Sequence, residues 1–278
     1  MSTTGLSLMQ KADRLAWTIA RYVAPMPRGT VFVAAQSAVA GVRLSQELLG
    51  CQLALCGRGG AYDVRGILSL HARHWLFNQR PRAYITLPDV FETTSEPHAL
   101  LATPAQVDGM GNANLSTIGD YQRPTVAFGG TRGLADARTI HFVVPSHNRR
   151  QLVERVDFVS TSVTTRSEPA LLFTELGVMR WSPEKALWIL EAIAHGVTPA
   201  EMQSKTGFRF AVSPSVEALK EPSPKVMATL DVIDPLGVRE LDFLTDRDAV
   251  WNALRRIYHE ESILVERQLS TQSWEAPI

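Results

Sequence analysis

The chain has 278 residues, room for one large domain or two small ones at ~100–200 residues each. Its 28 Lys and Arg balance 28 Asp and Glu, so it lacks the basic excess that nucleic acid and anionic membrane surfaces select. Hydrophobic residues make up 45%, enough for a substantial core, while the two cysteines, Cys51 and Cys56, are too few for a disulfide framework and suit a reducing, cytoplasmic setting.

The first ten residues show no basic segment followed by a long apolar core, and no signal peptide is expected there. A membrane span is not expected either, since no run of ~18 uninterrupted apolar residues occurs. Residues 1–28 predict one amphipathic helix ending before Pro25-Met26-Pro27, with Leu8, Ala12, Leu15, Ile19, Tyr22 and Val23 on one face. Residues 30–36 are apolar at consecutive positions, as a strand buried on both faces reads. Ser37 is expected to cap a helix through Leu49, which Gly50 stops. A second strand is expected over 52–56, followed at once by Gly57-Arg58-Gly59-Gly60. Further strand candidates are 82–87, 99–103, 139–144, 155–160 and 170–176, closely spaced towards the end. The series predicts an α/β fold with an open, mostly parallel, partly mixed sheet flanked by helices. Residues 182–207 read as more helical, with Thr198 as N-cap, Pro199 at the first position and Glu201 at the third. From Thr245 the chain reads as a charged helix with Trp251, Leu254, Ile257 and Tyr258 on one face. The division expected is an α/β domain over 1–244 and a helical extension over 245–278, whose Trp251 and Tyr258 would contact a partner subunit.

Between residues 107 and 136, glycines recur at 109, 111, 119, 129, 130 and 133. Six glycines weaken regular structure and need a reason, which is either backbone lying close to a ligand or ordinary turn geometry. Cys56 has two readings. It is the last core residue of its strand, or a thiol at the carboxyl end of a buried strand, where open α/β sheets bind ligands. Cys51, at the other end of that strand, reads as structural. Backbone N–H groups of Gly57, Gly59 and Gly60 could form an anion nest. That stretch matches neither the dinucleotide nor the Walker pattern, and Phe128-Gly129-Gly130-Thr131-Arg132-Gly133, nearer the dinucleotide spacing, has no acidic residue ~20 positions later at the end of a second strand, so a Rossmann reading is rejected. His71 and His74 lack the further ligands of a metal site and read as a solvated helix face. Asn148-Arg149-Arg150 is either an anion contact or a solvated turn, and Glu175 either a strand-end base or a surface turn acid.

Taken together, Val107-Asp108-x-x-Gly111-Asn112-x-Asn114, the loop from Phe128-Gly129-Gly130 to Asp136, Thr174-Glu175-Leu176-Gly177-Val178, Ala194-His195-Gly196-Val197-Thr198-Pro199 and Thr206-Gly207-Phe208 resemble the β subunit of class I, glutaconate-type CoA-transferases over roughly residues 10 to 240. The resemblance implies an open α/β sheet, an acyl-CoA substrate, and a homologous α subunit across the active site, in an α2β2 assembly. It implies no permanently bound cofactor, coenzyme A entering as part of the substrate. Asn112 and Asn114 would join Gly57, Gly59 and Gly60 as oxyanion or substrate contacts, and Phe128, Gly129, Gly130 and Gly133 would meet CoA. One departure changes the expected chemistry. Transferases of this family carry a glutamate nucleophile where Cys56 stands, and no Glu or Asp occurs between Glu47 and Asp63. Two relatives on this fold do other work: a ring-opening hydrolase of steroid breakdown, and a 3-methylglutaconyl-CoA decarboxylase whose β subunit is similar at Cys56, over 85–91 and over 148–153. Decarboxylation of a glutaconyl-type enoyl-CoA is therefore the expected reaction. The alternatives are a transferase or thioester hydrolase using an acid from elsewhere, and a non-catalytic subunit.

Overall fold

A computed structural model describes residues 6–33, 35–56, 61–71, 74–84, 99–128, 137–166 and 168–271. Helix α1, Leu8–Val23, begins at Ser7, whose hydroxyl accepts from Gln10 N while the Gln10 side chain returns to Ser7 N. This reciprocal cap fixes the start, and Ala12, Leu15, Ala16, Ile19 and Val23 form the buried stripe that positions the helix on the sheet.

Eight strands form the central sheet: β1 Gly29–Val33, β2 Leu53–Leu55, β3 Ala99–Ala102, β4 Thr139–Val143, β5 Leu171–Thr174, β6 Gly177–Ser182, β7 Leu187–Ile193 and β8 Ala211–Ala218. Their order is β8-β7-β6-β5-β4-β3-β1-β2. The pairs from β2 to β5 and the β7–β8 pair are parallel, while β5–β6 and β6–β7 are antiparallel. The expected open, mostly parallel α/β sheet is the one observed. Every position of β3, β4 and β5 is buried, as in strands covered on both faces. One face carries α1, helix α2 (Gln36–Leu48) and a core including Leu15, Ile19, Leu101, Val143 and Phe173. The other face carries Phe142, Trp181 and Trp188 against a small sheet of residues 106–107, 112–114 and 161–162. Helices thus cover one face, and a second sheet helps to cover the other.

Four sequence expectations are corrected. Ser37 does not cap α2 with its own side chain: it lies inside the helix, behind Ala35 as N-cap. Asp242, far along the chain, accepts from Gln36 N at 3.2 Å, Ser37 N at 2.7 Å and the Ser37 hydroxyl at 2.6 Å. The cap is tertiary, so no local pattern encodes it. Residues 155–160 form no strand, because side chains hold the backbone there: Val156 N donates to Asp108 and Asp157 N to Gln106. The 182–207 stretch is mainly strand. β6 and β7 close a hairpin through Ala186 at φ 49°, and β7 buries Trp188, Leu190 and Ala192 at period two. Helix α3, Pro199–Ser204, is the short helical part, with the Thr198–Glu201 cap in place. Finally, Tyr84 and Ala83 pair only with residues 61–62, outside the central sheet, and the remainder of that strand candidate lies outside the described residues.

Helix α4 spans Pro224–Ile233 and α5 spans Arg247–Thr271. On α5, Ile257 is fully buried and Glu261 accepts from Leu70 N at 2.8 Å, whereas Trp251 and Tyr258 are exposed. The four residues expected on one face therefore divide between a docked and an outward face.

Asp242→Ala removes three bonds at the start of α2 and should destabilise the fold by ~2 kcal/mol. The expected result is a lower urea midpoint at unchanged m-value.

Candidate active site

Between β1 and β3 the chain order reverses: β1 leads through α2 to β2 on one side, while β3, β4 and β5 extend the other way. The carboxyl ends of β1 and β3 therefore part, which opens the crevice where such sheets bind ligands. The positive N-terminus of α2 points into the same region, but the Asp242 carboxylate already occupies it.

Cys56 stands at the carboxyl end of β2. Its N–H continues the pairing to Val31 O at 3.2 Å, and it bridges to Tyr62. The residue is buried, sharing an apolar cluster with Ala102, Val107 and Ala113. Both sequence readings of Cys56 are thus compatible with its place: it closes a core strand, and it lies at the ligand end of the sheet. Burial pushes its thiol up to about 12; the Asp63 backbone N–H opposes this and the Asp63 carboxylate adds to it. At neutral pH the sulfur is therefore held as the thiol and is not a ready nucleophile. Asp63, the first acid after the strand, is held by Gln46 at 3.2 Å and Arg65 at 3.1 Å.

The loop from 108 to 114 is organised by Asp108, which is fully buried. Its carboxylate accepts from Met110 N at 2.9 Å, Asn112 N at 3.0 Å and the Asn112 side chain at 3.1 Å. Gly111 has φ +80°, and a Cβ there would lie 2.5 Å from Val163; one on Gly109 would lie 2.8 Å from Phe208. Close packing accounts for glycine at both positions. Asn114 is fully buried, its amide donating to Gln106 and the Thr117 carbonyl and accepting from Ser116 N and Thr117 N. Its side chain shapes this loop and has no atom left for a substrate. Asn112 is half-buried, and Phe128 is exposed at the edge of the described loop. Gly57, Gly59, Gly60, Gly129, Gly130 and Gly133 lie outside the described residues.

Glu175 lies at the carboxyl end of β5, and β2 is four strands away. At ~4.8 Å per strand that is roughly 19 Å across the sheet, too far to replace a carboxylate at Cys56. Burial pushes the Glu175 carboxyl up to about 7, against the opposing hydrogen bond from His147 N at 2.6 Å. The His147 ring bridges Thr174 and Thr206 at 3.0 and 2.8 Å. Thr206 has Met202 O as an acceptor at 2.8 Å and Thr174 has Gly177 O at 3.2 Å, so one hydroxyl accepts the neutral ring's N–H and the other donates to the ring. Burial holds this ring neutral, with its pKa lowered to about 4. No local pattern marks this network, since it joins β4's exit, the β5–β6 turn and the segment after α3. Asn148-Arg149-Arg150 forms a turn closed by the Asn148 side chain, with both arginines exposed.

No family model matches the chain. Over 149 residues it is 29% identical to the B subunit of glutaconate CoA-transferase from Acidaminococcus fermentans, covering 47% of this chain and 55% of that protein. The chain thus spans about half the length of that relative. Over 167 residues it is 29% identical to the cholesterol ring-cleaving hydrolase IpdB subunit of Mycobacterium tuberculosis, covering 54% of this chain and 66% of the relative. The crystal structure of the decarboxylase AibA/AibB superposes with a TM-score of 0.72 at 24% identity, over 84% of this chain and 98% of that one. The fold is that of a class I CoA-transferase β subunit. The curated homologues of this CoA-transferase-like chain include subunits of transferases and of a hydrolase, so the fold is common to more than one reaction.

Because the folded-state pKa of Glu175 lies above its unfolded value, its contribution favours folding below about pH 4.5 and is lost as pH rises through about 7. Glu175→Gln should therefore be more stable than the parent at pH 8, by roughly 1–3 kcal/mol, and close to it at pH 5. Urea denaturation at both pH values measures the difference; an equal offset at both would contradict a buried, titrating carboxyl.

Proposed function

We propose that this chain is the β subunit of a two-subunit enzyme that decarboxylates a glutaconyl-type enoyl-CoA. The observation that carries the reading is the neutral thiol of Cys56, at the strand end where the resemblance implies a glutamate nucleophile. Asp63 is engaged by Gln46 and Arg65, and Glu175 is four strands off, so neither supplies the missing carboxylate. Support also comes from the decarboxylase AibA/AibB, whose solved structures include variants with one cysteine replaced by Asn, Val, Ser or Ala.

In the proposed reaction the bond between the γ-carbon and the carboxylate breaks, CO₂ leaves, and the electron pair spreads through the enoyl system onto the thioester oxygen. A proton from solvent then quenches the dienolate. No resident cofactor is needed, because the thioester itself is the electron sink. Backbone N–H groups of the glycine stretches at 57–60 and 129–133 would hold the enolate oxygen and the CoA arm, a donor of this kind contributing ~2.7–4 kcal/mol in other oxyanion holes. Cys56 packs beside the acyl chain as a neutral group. Similarity to the cholesterol ring-cleaving hydrolase IpdB subunit supports a second reading, hydrolytic ring opening of an acyl-CoA substrate.

The α partner is inferred from relatives that are themselves subunits. Met110, Val126, Phe128 and Tyr121, the last stacked on Phe158 at 5.0 Å, expose apolar surface near the loop of Asn112, which suits an interface with another chain. Among the described residues no helix is long and apolar enough to cross a membrane.

In the assembled enzyme, Cys56→Ala should keep CO₂ release from glutaconyl-CoA within about tenfold of the parent, since a positional thiol contributes packing only. Cys56→Glu should lower it by far more. Acetate-dependent thioester exchange without CO₂ release in the parent would establish a transferase instead. Trp251→Ser combined with Tyr258→Ser should reduce the assembled fraction in sedimentation velocity, and unchanged assembly would remove α5 from the interface.

A further inference from the structure

A second polar site lies at the end of β2 opposite to Cys56. A cavity of about 500 Å³ opens at the sheet edge where β1 and β2 begin, between Gly29, residues 50–54 and the ribbon in which 61–62 pair with 83–84. Its size is that of a small-molecule pocket. Its charged lining is one acid, Asp63, and three arginines, Arg28, Arg65 and Arg82.

A short chain of contacts ties these groups together. Gln46 Nε2 donates to Leu53 O at 2.7 Å and to Asp63 at 3.2 Å, so one amide joins the start of β2 to the acid. Leu53 pairs with Gly29, which Arg28 directly precedes. Arg82 N donates to Tyr62 O at 2.8 Å, and Tyr62 directly precedes Asp63. Arg28 and Arg82 therefore leave the backbone on either side of the Leu53–Gln46–Asp63 contact. The Tyr62 hydroxyl responds to both. Burial pushes its pKa up, with Cys56 and Asp63 adding to the rise, while Arg82 and Arg28 oppose it. Both guanidiniums thus lie within electrostatic reach of one phenolic oxygen.

The polar side chains of the cavity sort into used and unused. Asp63 is buried, and its two oxygens are taken by Gln46 and by Arg65, the latter at 3.1 Å. The single acid and one of the three cations therefore cancel. The Gln46 oxygen accepts from Arg43 at 2.9 Å, the Gln52 amide donates to Gly50 O at 3.0 Å, and the Cys51 thiol lies 3.6 Å from Val23 O. The unused set is the guanidiniums of Arg28 and Arg82, both exposed, and the hydroxyl of Tyr62; none of the three has a hydrogen bond or ion pair from its side chain among the described residues. Two uncancelled cations beside a hydroxyl match an anion of two charges with several acceptor oxygens. A phosphate group carries about two charges and three strong acceptors at neutral pH. A single carboxylate carries one charge, and one arginine fork already satisfies it.

We propose that this cavity binds a phosphate group, free or carried by a small molecule, on Arg28, Arg82 and the Tyr62 hydroxyl. The site is independent of the reaction proposed above, and its test needs no acyl-CoA. Isothermal titration of the full chain, assembled with its partner subunit where assembly requires one, uses inorganic phosphate, ribose 5-phosphate and succinate. At least one of the two phosphates should bind saturably, the tighter of them naming the source, and succinate should bind at least about tenfold more weakly. Arg28→Ala and Arg82→Ala should each weaken phosphate binding at least about tenfold, with an unchanged urea midpoint in the absence of phosphate, since neither side chain holds the fold. Tyr62→Phe should weaken it by less, because the hydroxyl is uncharged. Succinate binding as tightly as the phosphates would overturn the phosphate assignment. No saturable binding of either phosphate, or binding unchanged in either arginine variant, would overturn the site. A crystal structure of the assembled enzyme with a side chain of the partner subunit seated between Arg28 and Arg82 would do the same.

Discussion

The reversal of strand order between β1 and β3 constrains everything at the functional end of this molecule. Because β1 sends the chain one way through α2 while β3 extends the other way, the two strand ends cannot share a connection, and a crevice follows from topology alone. In many such sheets the helix N-terminus at that crevice is an open anion site. Here Asp242 fills it with two backbone bonds and one to the Ser37 hydroxyl. The α2 terminus is therefore structural, and an anionic ligand at the crevice must find its donors elsewhere.

A similar division holds in the loop that precedes the glycine-rich segment. Asp108 gathers Met110, Asn112 and Val156 onto one carboxylate, and its carbonyl accepts the Trp188 indole N–H at 3.0 Å. Gly109 and Gly111 let the loop press against Phe208, Val163 and Trp181. The motif thus builds a rigid ledge next to the cluster that contains Cys56. On the proposed reaction its part is to fix where the outer loops start, and direct contact with substrate falls to the residues beyond it.

What the sequence made legible follows from range of interaction. Continuous apolar runs marked β1, β3, β4 and β5, since burial on both faces is written in consecutive residues. The Thr198-Pro199-x-Glu201 start was equally plain, because a capping box is local. Ser37 misled because its helix is capped from Asp242, and 155–160 misled because Asp108 and Gln106 hold that backbone with side chains. The β6–β7 hairpin was obscured by good helix formers at its turn, where Ala186 takes a left-handed conformation that its identity does not advertise. At the site, the position of Cys56 at a strand end was readable, but its ionisation was not. Desolvation depends on the cluster around it, which assembles only in three dimensions. Glu175 was readable as a strand-end acid, but its burial emerges only once its surroundings are assembled.

The charge at the end of β2 decides between the chemistries open to this fold. Two carboxylates 4 Å apart at an effective dielectric near 20 repel by ~4 kcal/mol, about a thousandfold in affinity. A transferase accepts such a cost where its glutamate must attack the thioester, because the covalent step depends on that group. A decarboxylase gains nothing from the attack, and its substrate brings a second carboxylate that must be bound and then lost. A neutral thiol removes the repulsion and the nucleophile together, and burial keeps it neutral across the physiological range. On the proposed reading, a cysteine where the resemblance implies glutamate is a change of reaction rather than a loss of activity, the acyl group carrying its own negative charge into the crevice.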